Sequence, residues 1–198
     1  PVRGMGLLIE NELQHLDPLV IHPAKPFVAV LGGSNVSDKI KTIEFLMTNI
    51  DTLLIGGAMA HAFWVSMGRK LPEAAKQPKP EDVAAAGHCL KTAKRRDVQL
   101  LVPSDTIEGF DIGPETVREF SAVLKKAKTV FWNGPLGWFE KPEYAAGTFA
   151  IAECLAGIDA MKVVGGGDTV SAVKKSGFAE RFTHLSTGGG AVLEYLEG

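Results

Sequence analysis

Phe27-Val28-Ala29-Val30-Leu31-Gly32-Gly33-Ser34-Asn35-Val36-Ser37-Asp38-Lys39-Ile40 is the stretch that decides the fold. Five apolar residues in a row suit a strand covered on both faces, because a strand with one wet face would alternate apolar and polar. The glycine pair stops the run, and the polar residues after it open an amphipathic stretch over 36–49. Strand, glycine turn and helix together are the repeating unit of an α/β sheet.

Working outward, the unit recurs. Short apolar bursts lie at 52–55, 98–102, 129–132 and 162–164, with a weaker one at 183–185. Amphipathic stretches separate them at 58–67, 80–95, 114–128, 142–156 and 168–176. Strict alternation implies right-handed crossovers, so the pattern predicts a doubly wound, Rossmann-like α/β fold. Its parallel sheet should have about six strands, with helices on both faces. Residues 7–20 read as one further helix, ended by His22-Pro23-Ala24-Lys25-Pro26. We therefore expect a connecting segment over 1–25 and one domain over 26–198, with 72–80 as an exposed loop.

Composition narrows the function classes. A chain of 198 residues with 45% apolar content suits one domain with a real core. A net charge of -2 gives no chain-wide basis for binding nucleic acid or an anionic membrane. No apolar run approaches the roughly 20 residues of a membrane span, and no signal-peptide pattern opens the chain. The expectation is a cytoplasmic protein with neither kind of partner. Cys89 and Cys154 lack metal-ligand spacing and read as small buried thiols of a reducing compartment. The chain opens at Pro1, which leads us to expect that it was cut from a larger protein.

The glycines carry the functional signal. Gly32-Gly33, Gly56-Gly57, Gly134 with Gly137, Gly165-Gly166-Gly167 and Gly188-Gly189-Gly190 each follow an expected strand. All five clusters should share the carboxyl edge of the sheet, where such folds bind ligands. Glycine admits close backbone approach, and a helix start offers free N–H groups, so this edge points to an anionic or nucleotide ligand. Turn geometry alone is the plainer reading of any single cluster. The P-loop pattern GxxxxGK[ST] and the dinucleotide fingerprint GxGxxG are both absent, which disfavours an NAD-type oxidoreductase. Nor is there a protein-kinase signature set, a serine nucleophile elbow or a Cys/His metal knot.

The quoted stretch, preceded by Pro26, resembles the phosphoglycerate kinase signature. So do Ile55-Gly56-Gly57-Ala58-Met59-Ala60 and Trp132-Asn133-Gly134-Pro135-Leu136-Gly137-Trp138-Phe139-Glu140. Val164-Gly165-Gly166-Gly167-Asp168-Thr169 and Ser186-Thr187-Gly188-Gly189-Gly190-Ala191 follow in family order. The resemblance covers essentially the whole chain. It implies the domain that holds ADP or ATP with Mg2+, while a separate N-terminal domain, absent here, takes 1,3-bisphosphoglycerate or 3-phosphoglycerate. It also implies glycolytic phosphoryl transfer between them, a monomer, a hinge around 7–20 and 186–187, and an isolated chain without activity.

The resemblance implies roles residue by residue. Asp168 would contact magnesium, although aspartate at a helix start is also a common cap. Gly166, Gly167 and Thr169 would donate to phosphates, and Gly189 and Gly190 would do so near the transferred group. Gly32, Gly33 and Ser34 belong to the same loop edge. Lys39 would swing its ammonium back toward phosphate oxygens, since a lysine in a first helical turn opposes the dipole. Lys39, Gly167 and Gly190 are the residues expected to act on the moving phosphoryl group. Glu140 would accept from the ribose hydroxyls, and Asn133 and Pro135 would line the nucleotide edge. Gly57, Ala58 and Leu71 would make the adenine slot with Gly109 and Phe110 opposite, though Leu71 and Phe110 also suit plain core. His61 and His184 read as structural, and Phe63-Trp64 as core packing.

Three departures from the family pattern stand out. Asn35 replaces a lysine thought to follow the phosphoryl group, and it would keep only a helix-capping duty. Trp138 replaces a smaller aliphatic residue and would stack on adenine or crowd it. The interval from Pro103 to Pro114 is abrupt where relatives carry a longer excursion. Either the loop is shortened or residues are missing from the sequence, and the second is our expectation.

Overall fold

The computed structural model describes Leu16, Asp17, Leu19 and residues 21–186. The expected helix over 7–20 is otherwise outside them, as are Thr187, Gly189 and Gly190.

The first unit forms as the sequence suggests. Strand β1 (Phe27–Leu31) is buried along its whole length. The following stretch splits into a 3-10 turn, Ser37–Lys39, and a short helix α1 (Ile40–Leu46). Then come β2 (Thr52–Ile55), α2 (Ala60–Ser66), α3 (Pro80–Arg95) and β3 (Gln99–Leu101). Two very short strands, β4 (Thr106–Ile107) and β5 (Asp111–Ile112), form an antiparallel hairpin that the sequence did not announce. Two residues per strand are too few for any alternation to show. The chain continues with α4 (Pro114–Leu124), β6 (Thr129–Asn133), α5 (Ala146–Ala156), β7 (Met161–Gly165), α6 (Gly167–Lys175) and β8 (His184–Ser186).

Six strands make one parallel sheet in the order β3-β2-β1-β6-β7-β8. Central β1 pairs Val30 with Leu54 on one side and with Trp132 on the other. Because side chains alternate, one strand feeds two cores. Phe27, Ala29 and Leu31 pack with Ile43, Phe63 and Cys89 of α1, α2 and α3. Val28 and Val30 pack with Phe120, Ile151 and Val173 of α4, α5 and α6. Each such large side chain contributes about 1.5–3 kcal/mol on burial. Leu16 and Leu19 join the first core. Phe63 and Trp64 are buried, as their helical spacing suggested. Among the described residues, no helix is long and apolar enough to cross a membrane.

Three helix starts take their caps from distant carboxylates. Asp82 on α3 accepts from Ser37 N–H at 2.9 Å and from its hydroxyl at 2.8 Å. Asp105 accepts from Glu115 and Thr116 N–H at the start of α4. Asp111 accepts from Gly147 N–H at the start of α5, at 2.7 Å. Asn35 therefore is not the cap we expected. Its amide donates to Asp38 Oδ2 at 2.7 Å.

Candidate functional site

Connections leave β1 toward β2 on one side, and the chain returns to β6 on the other, so the order reverses between β1 and β6. In open sheets of this kind a crevice forms beyond the carboxyl ends at that point. Two adjoining cavities occupy it. One, of about 350 Å³, is walled by Gly57, Ala58, Gly109, Phe110, Gly137 and Trp138, with Glu140 at its edge. The other, of about 230 Å³, is walled by Asn35, Lys39, Asn133, Gly166, Gly167 and Thr169. Gly33, Ser34, Pro135 and Asp168 line both. The first compartment is mainly apolar and the second polar, and they meet at an exposed carboxylate. Of the expected site residues, Leu71 and Gly32 line neither compartment. Leu71 is half-buried in the segment before α3.

The glycine clusters divide into two kinds. Gly32 N–H donates to Asn133 O at 2.9 Å, Gly33 N–H to Pro135 O at 3.1 Å, and Gly57 N–H to Leu136 O at 3.0 Å. Gly134 N–H donates to Thr169 Oγ1 at 2.6 Å. A Cβ on Gly32 would sit 2.1 Å from Pro135 O, and one on Gly134 would sit 2.3 Å from Gly32 O. These glycines let the loops after β1, β2 and β6 lie backbone against backbone. Their N–H groups serve the protein rather than a ligand. Gly166 N–H, expected to donate to phosphate, is also taken, by Ser186 O at 3.1 Å. Gly167 is different, because a Cβ there would meet nothing within 4 Å. It opens α6, and the N–H groups of Gly167, Asp168 and Thr169 belong to a first turn that has no intrahelical acceptors. With the helix dipole behind them, they form a ready anion seat.

Lys39 lies beside this seat but is folded inward. Its Nζ donates to Gly32 O and to Asn133 Oδ1, each at 2.8 Å. Asn133 is held in turn by donating to Gly165 O at 2.8 Å. Burial pushes the Lys39 pKa down to about 8, against the pull of Asp168 and Asp38, which raise it. The result is a fixed cation in the floor of the polar compartment, where the sequence suggested a swinging one.

The apolar compartment has an aromatic wall. The Phe110 and Trp138 rings lie 6.0 Å apart at 55°, and Phe110 and Tyr144 lie 5.0 Å apart at 43°. Lys141 Nζ stands 4.0 Å over the Trp138 ring. Trp138 is 44% exposed, so one part of its ring faces the opening. Beneath the wall, burial pushes the Asp111 carboxyl up to about 6 despite N–H donors at Gly147, Ile112 and Thr148. Buried His61 is pushed below its ordinary value by burial, while hydrogen bonds with the backbones of Gly109 and Lys76 oppose that shift. Sequence reasoning had no signal for the His61 contacts, since their partners are 15 and 48 positions away.

Among the described residues no group of three or more His, Cys, Asp or Glu could hold a metal ion. Two carboxylates line the polar compartment: Asp38, which accepts from the Asn35 amide, and Asp168. That donor set suits a magnesium ion that takes its remaining oxygens from phosphates and water. A cavity of about 540 Å³ also opens at the opposite, amino edge of the sheet around Lys126, Lys128, Glu153 and Asp159. Three lysines, Lys125 among them, face two carboxylates there, and the cavity lies away from every loop discussed above.

The family model described as phosphoglycerate kinase matches residues 1–109 and 105–198. A phosphoglycerate kinase of Bdellovibrio bacteriovorus is 41% identical over 219 residues, covering 99% of this chain and 54% of that protein. One from Acidobacterium capsulatum is 43% identical over 218 residues, covering 98% and 54%. Among solved structures, phosphoglycerate kinase from Coxiella burnetii superposes with a TM-score of 0.91 at 34% identity, covering 98% of this chain and 55% of that one. The enzyme from Pyrococcus horikoshii OT3 gives 0.84 at 29% identity. The chain spans about half the length of the curated relatives it matches. The two matched segments meet at 105–109, on the β4–β5 hairpin. The first alignment, over 219 residues, is also longer than the 198 of this chain.

Proposed function

The chain belongs to the phosphoglycerate kinase family, and on that premise we propose that it is the half of such an enzyme that binds ADP or ATP with Mg2+. One observation carries the reading: an apolar compartment and a polar one adjoin at the carboxyl edge, sharing Gly33, Ser34, Pro135 and Asp168. The base takes the apolar side among Gly57, Ala58, Gly109, Phe110 and Trp138. Glu140, on that side, accepts from the ribose. The phosphates lie on the α6 N-terminus at Gly167 and Thr169, over the Lys39 ammonium. Asp168 holds the magnesium ion, which when bound neutralises phosphate charge. Gly189 and Gly190 complete the phosphate seat in this reading, from outside the described residues.

The proposed reaction moves a phosphoryl group between 1,3-bisphosphoglycerate and ADP, giving 3-phosphoglycerate and ATP. The phosphoglycerate side belongs to a separate domain that closes on this one. Such transfer needs in-line positioning and charge stabilisation more than covalent chemistry. Lys39, pinned by Gly32 O and Asn133 Oδ1, supplies positive charge without reorganisation. The reading carries with it a cytoplasmic monomer. A second reading, binding without turnover, is favoured by Asn35, whose amide is engaged by Asp38 and offers no cation.

Calorimetric titration with Mg·ADP, Mg·ATP and NADH tests the assignment. Both adenine phosphates should bind with Kd between about 1 µM and 1 mM, in the range of about -8 to -4 kcal/mol. Binding of NADH alone would overturn it.

A further inference from the structure

The hairpin of β4 and β5 supplies Gly109 and Phe110, one wall of the apolar compartment, yet little within it fixes their place. It has two ladder pairs, Thr106 with Ile112 and Ile107 with Asp111. A two-stranded hairpin of that size is marginal in water. Its turn is locally disfavoured as well. Glu108 has φ 52° and Gly109 has φ 81°, with Phe110 N–H closing on Ile107 O at 2.9 Å. This is type I′ geometry, for which Asn or Asp is the usual first residue and glutamate is strained.

Contacts from other elements hold the tip. From below, His61 of α2 reaches it: a Cβ on Gly109 would lie 3.5 Å from His61 Nε2 and 2.9 Å from Ala75 Cβ. The imidazole hydrogen-bonds with the backbone of Gly109 and of Lys76, so it ties the tip to the segment before α3. Its other side is tilted against Trp64, 6.2 Å away, and the Trp64 indole is itself fixed by donating to Pro103 O at 2.9 Å. The space between His61, Gly109 and Phe110 is only about 10 Å³, about the least that admits one water. From outside, the Tyr144 hydroxyl donates to Glu108 Oε2 at 2.7 Å while its ring packs on Phe110.

We propose that His61 is a positioning residue for base recognition, setting the Gly109–Phe110 wall from beneath while Tyr144 sets it from outside through Glu108. Neither side chain lines the compartment, so both act through the hairpin. The proposal rests on the nucleotide-binding reading and adds to it the determinant of base affinity.

The test separates the base from the phosphates. Mg·ADP and Mg·pyrophosphate are titrated calorimetrically into wild type, His61→Phe, His61→Gln and Tyr144→Phe. His61→Phe keeps a ring against Trp64 but removes its hydrogen bonds, so Mg·ADP should bind about tenfold more weakly. Mg·pyrophosphate affinity should stay at the wild-type value. His61→Gln should recover part of the loss. Tyr144→Phe, which removes one exposed hydroxyl, should weaken Mg·ADP about threefold and spare pyrophosphate. If His61→Phe does not fold, His61→Gln carries the test, with a smaller loss of Mg·ADP affinity and none of pyrophosphate. Unchanged Mg·ADP affinity in the variants, or equal losses for both ligands, overturns the proposal while the nucleotide-binding reading stands. A wild type that binds pyrophosphate but not ADP overturns both.

Discussion

Gly32→Ala and Gly167→Ala should have opposite consequences, although both glycines lie at the same edge of the sheet. At Gly32 the new Cβ would lie 2.1 Å from Pro135 O and 2.6 Å from Gly134 O. That is roughly 1 Å or more inside van der Waals contact, and both neighbours are backbone. Relief requires the loops after β1 and β6 to separate by a similar distance. The bonds from Gly32 N–H to Asn133 O at 2.9 Å and from Gly33 N–H to Pro135 O at 3.1 Å would then pass beyond hydrogen-bonding range. Two buried bonds at about 0.5–1.5 kcal/mol each, with about 1–3 kcal/mol of overpacking strain, give a loss of about 2–6 kcal/mol. Against a typical stability of about 5–15 kcal/mol this is severe. At Gly167 the Cβ meets nothing within 4 Å, and the residue is helical. Stability there should stay within about 1 kcal/mol of wild type or rise slightly, because alanine favours a helix. Urea unfolding followed by circular dichroism measures both. With a slope of about 2 kcal/mol per molar, Gly32→Ala should lower the midpoint by about 2 M. Gly167→Ala should leave the midpoint in place but weaken Mg·ADP binding, since its methyl stands where phosphate oxygens approach. A Gly32→Ala midpoint matching wild type would refute the division of the glycines into packing and ligand-facing kinds. So would a Gly167→Ala variant destabilised as much as Gly32→Ala.

Asp168→Asn should leave unfolding unchanged, because the side chain is exposed, while weakening Mg·ADP at least about tenfold and ADP in EDTA much less. Equal losses with and without magnesium would remove Asp168 from the metal. In a protein that carries the complementary phosphoglycerate-binding half, Asn35→Lys should raise phosphoryl transfer in a coupled assay by about a hundredfold. Rapid turnover with the native Asn35 would instead dismiss the binding-only reading. Asp82 and Asp111 should give stability profiles of opposite slope. Burial alone would raise the Asp82 pKa, but donors at Ser37 and Val36 outweigh it and hold the carboxyl below its ordinary value. Its contribution is therefore complete above about pH 4 and lost as pH falls further, and Asp82→Asn should remove that acid-side dependence. Asp111, raised to about 6 by burial, stabilises the fold below about pH 4. That share is lost as pH rises through about 6, and Asp111→Asn should flatten a decline of about 3 kcal/mol in equilibrium unfolding.

The strands at 27–31, 52–55 and 129–133 were legible because burial on both faces demands near-continuous apolar runs. The hairpin at 106–112 was not, since strands of two residues carry no period. Asn35 looked like a cap because the residue type and position were right. A carboxylate 47 positions away does that work, and local pattern cannot register a partner at that distance.

The sequence by itself determined the sheet, the edge on which the glycines gather and the order of the motifs. Each of these depends on neighbours along the chain: side-chain period, turn chemistry and residue spacing. Only the tertiary structure decided what each glycine is for. Whether a missing Cβ makes room for a neighbouring loop, as at Gly32 and Gly134, or leaves open space, as at Gly167, depends on which backbones the sheet order brings together. The same holds for Lys39, which the fold turned from a mobile cation into a fixed one by setting Gly32 O and Asn133 Oδ1 within 2.8 Å of it. Side-chain period is a short-range property, whereas hydrogen bonding and steric contact act between any groups that folding makes adjacent.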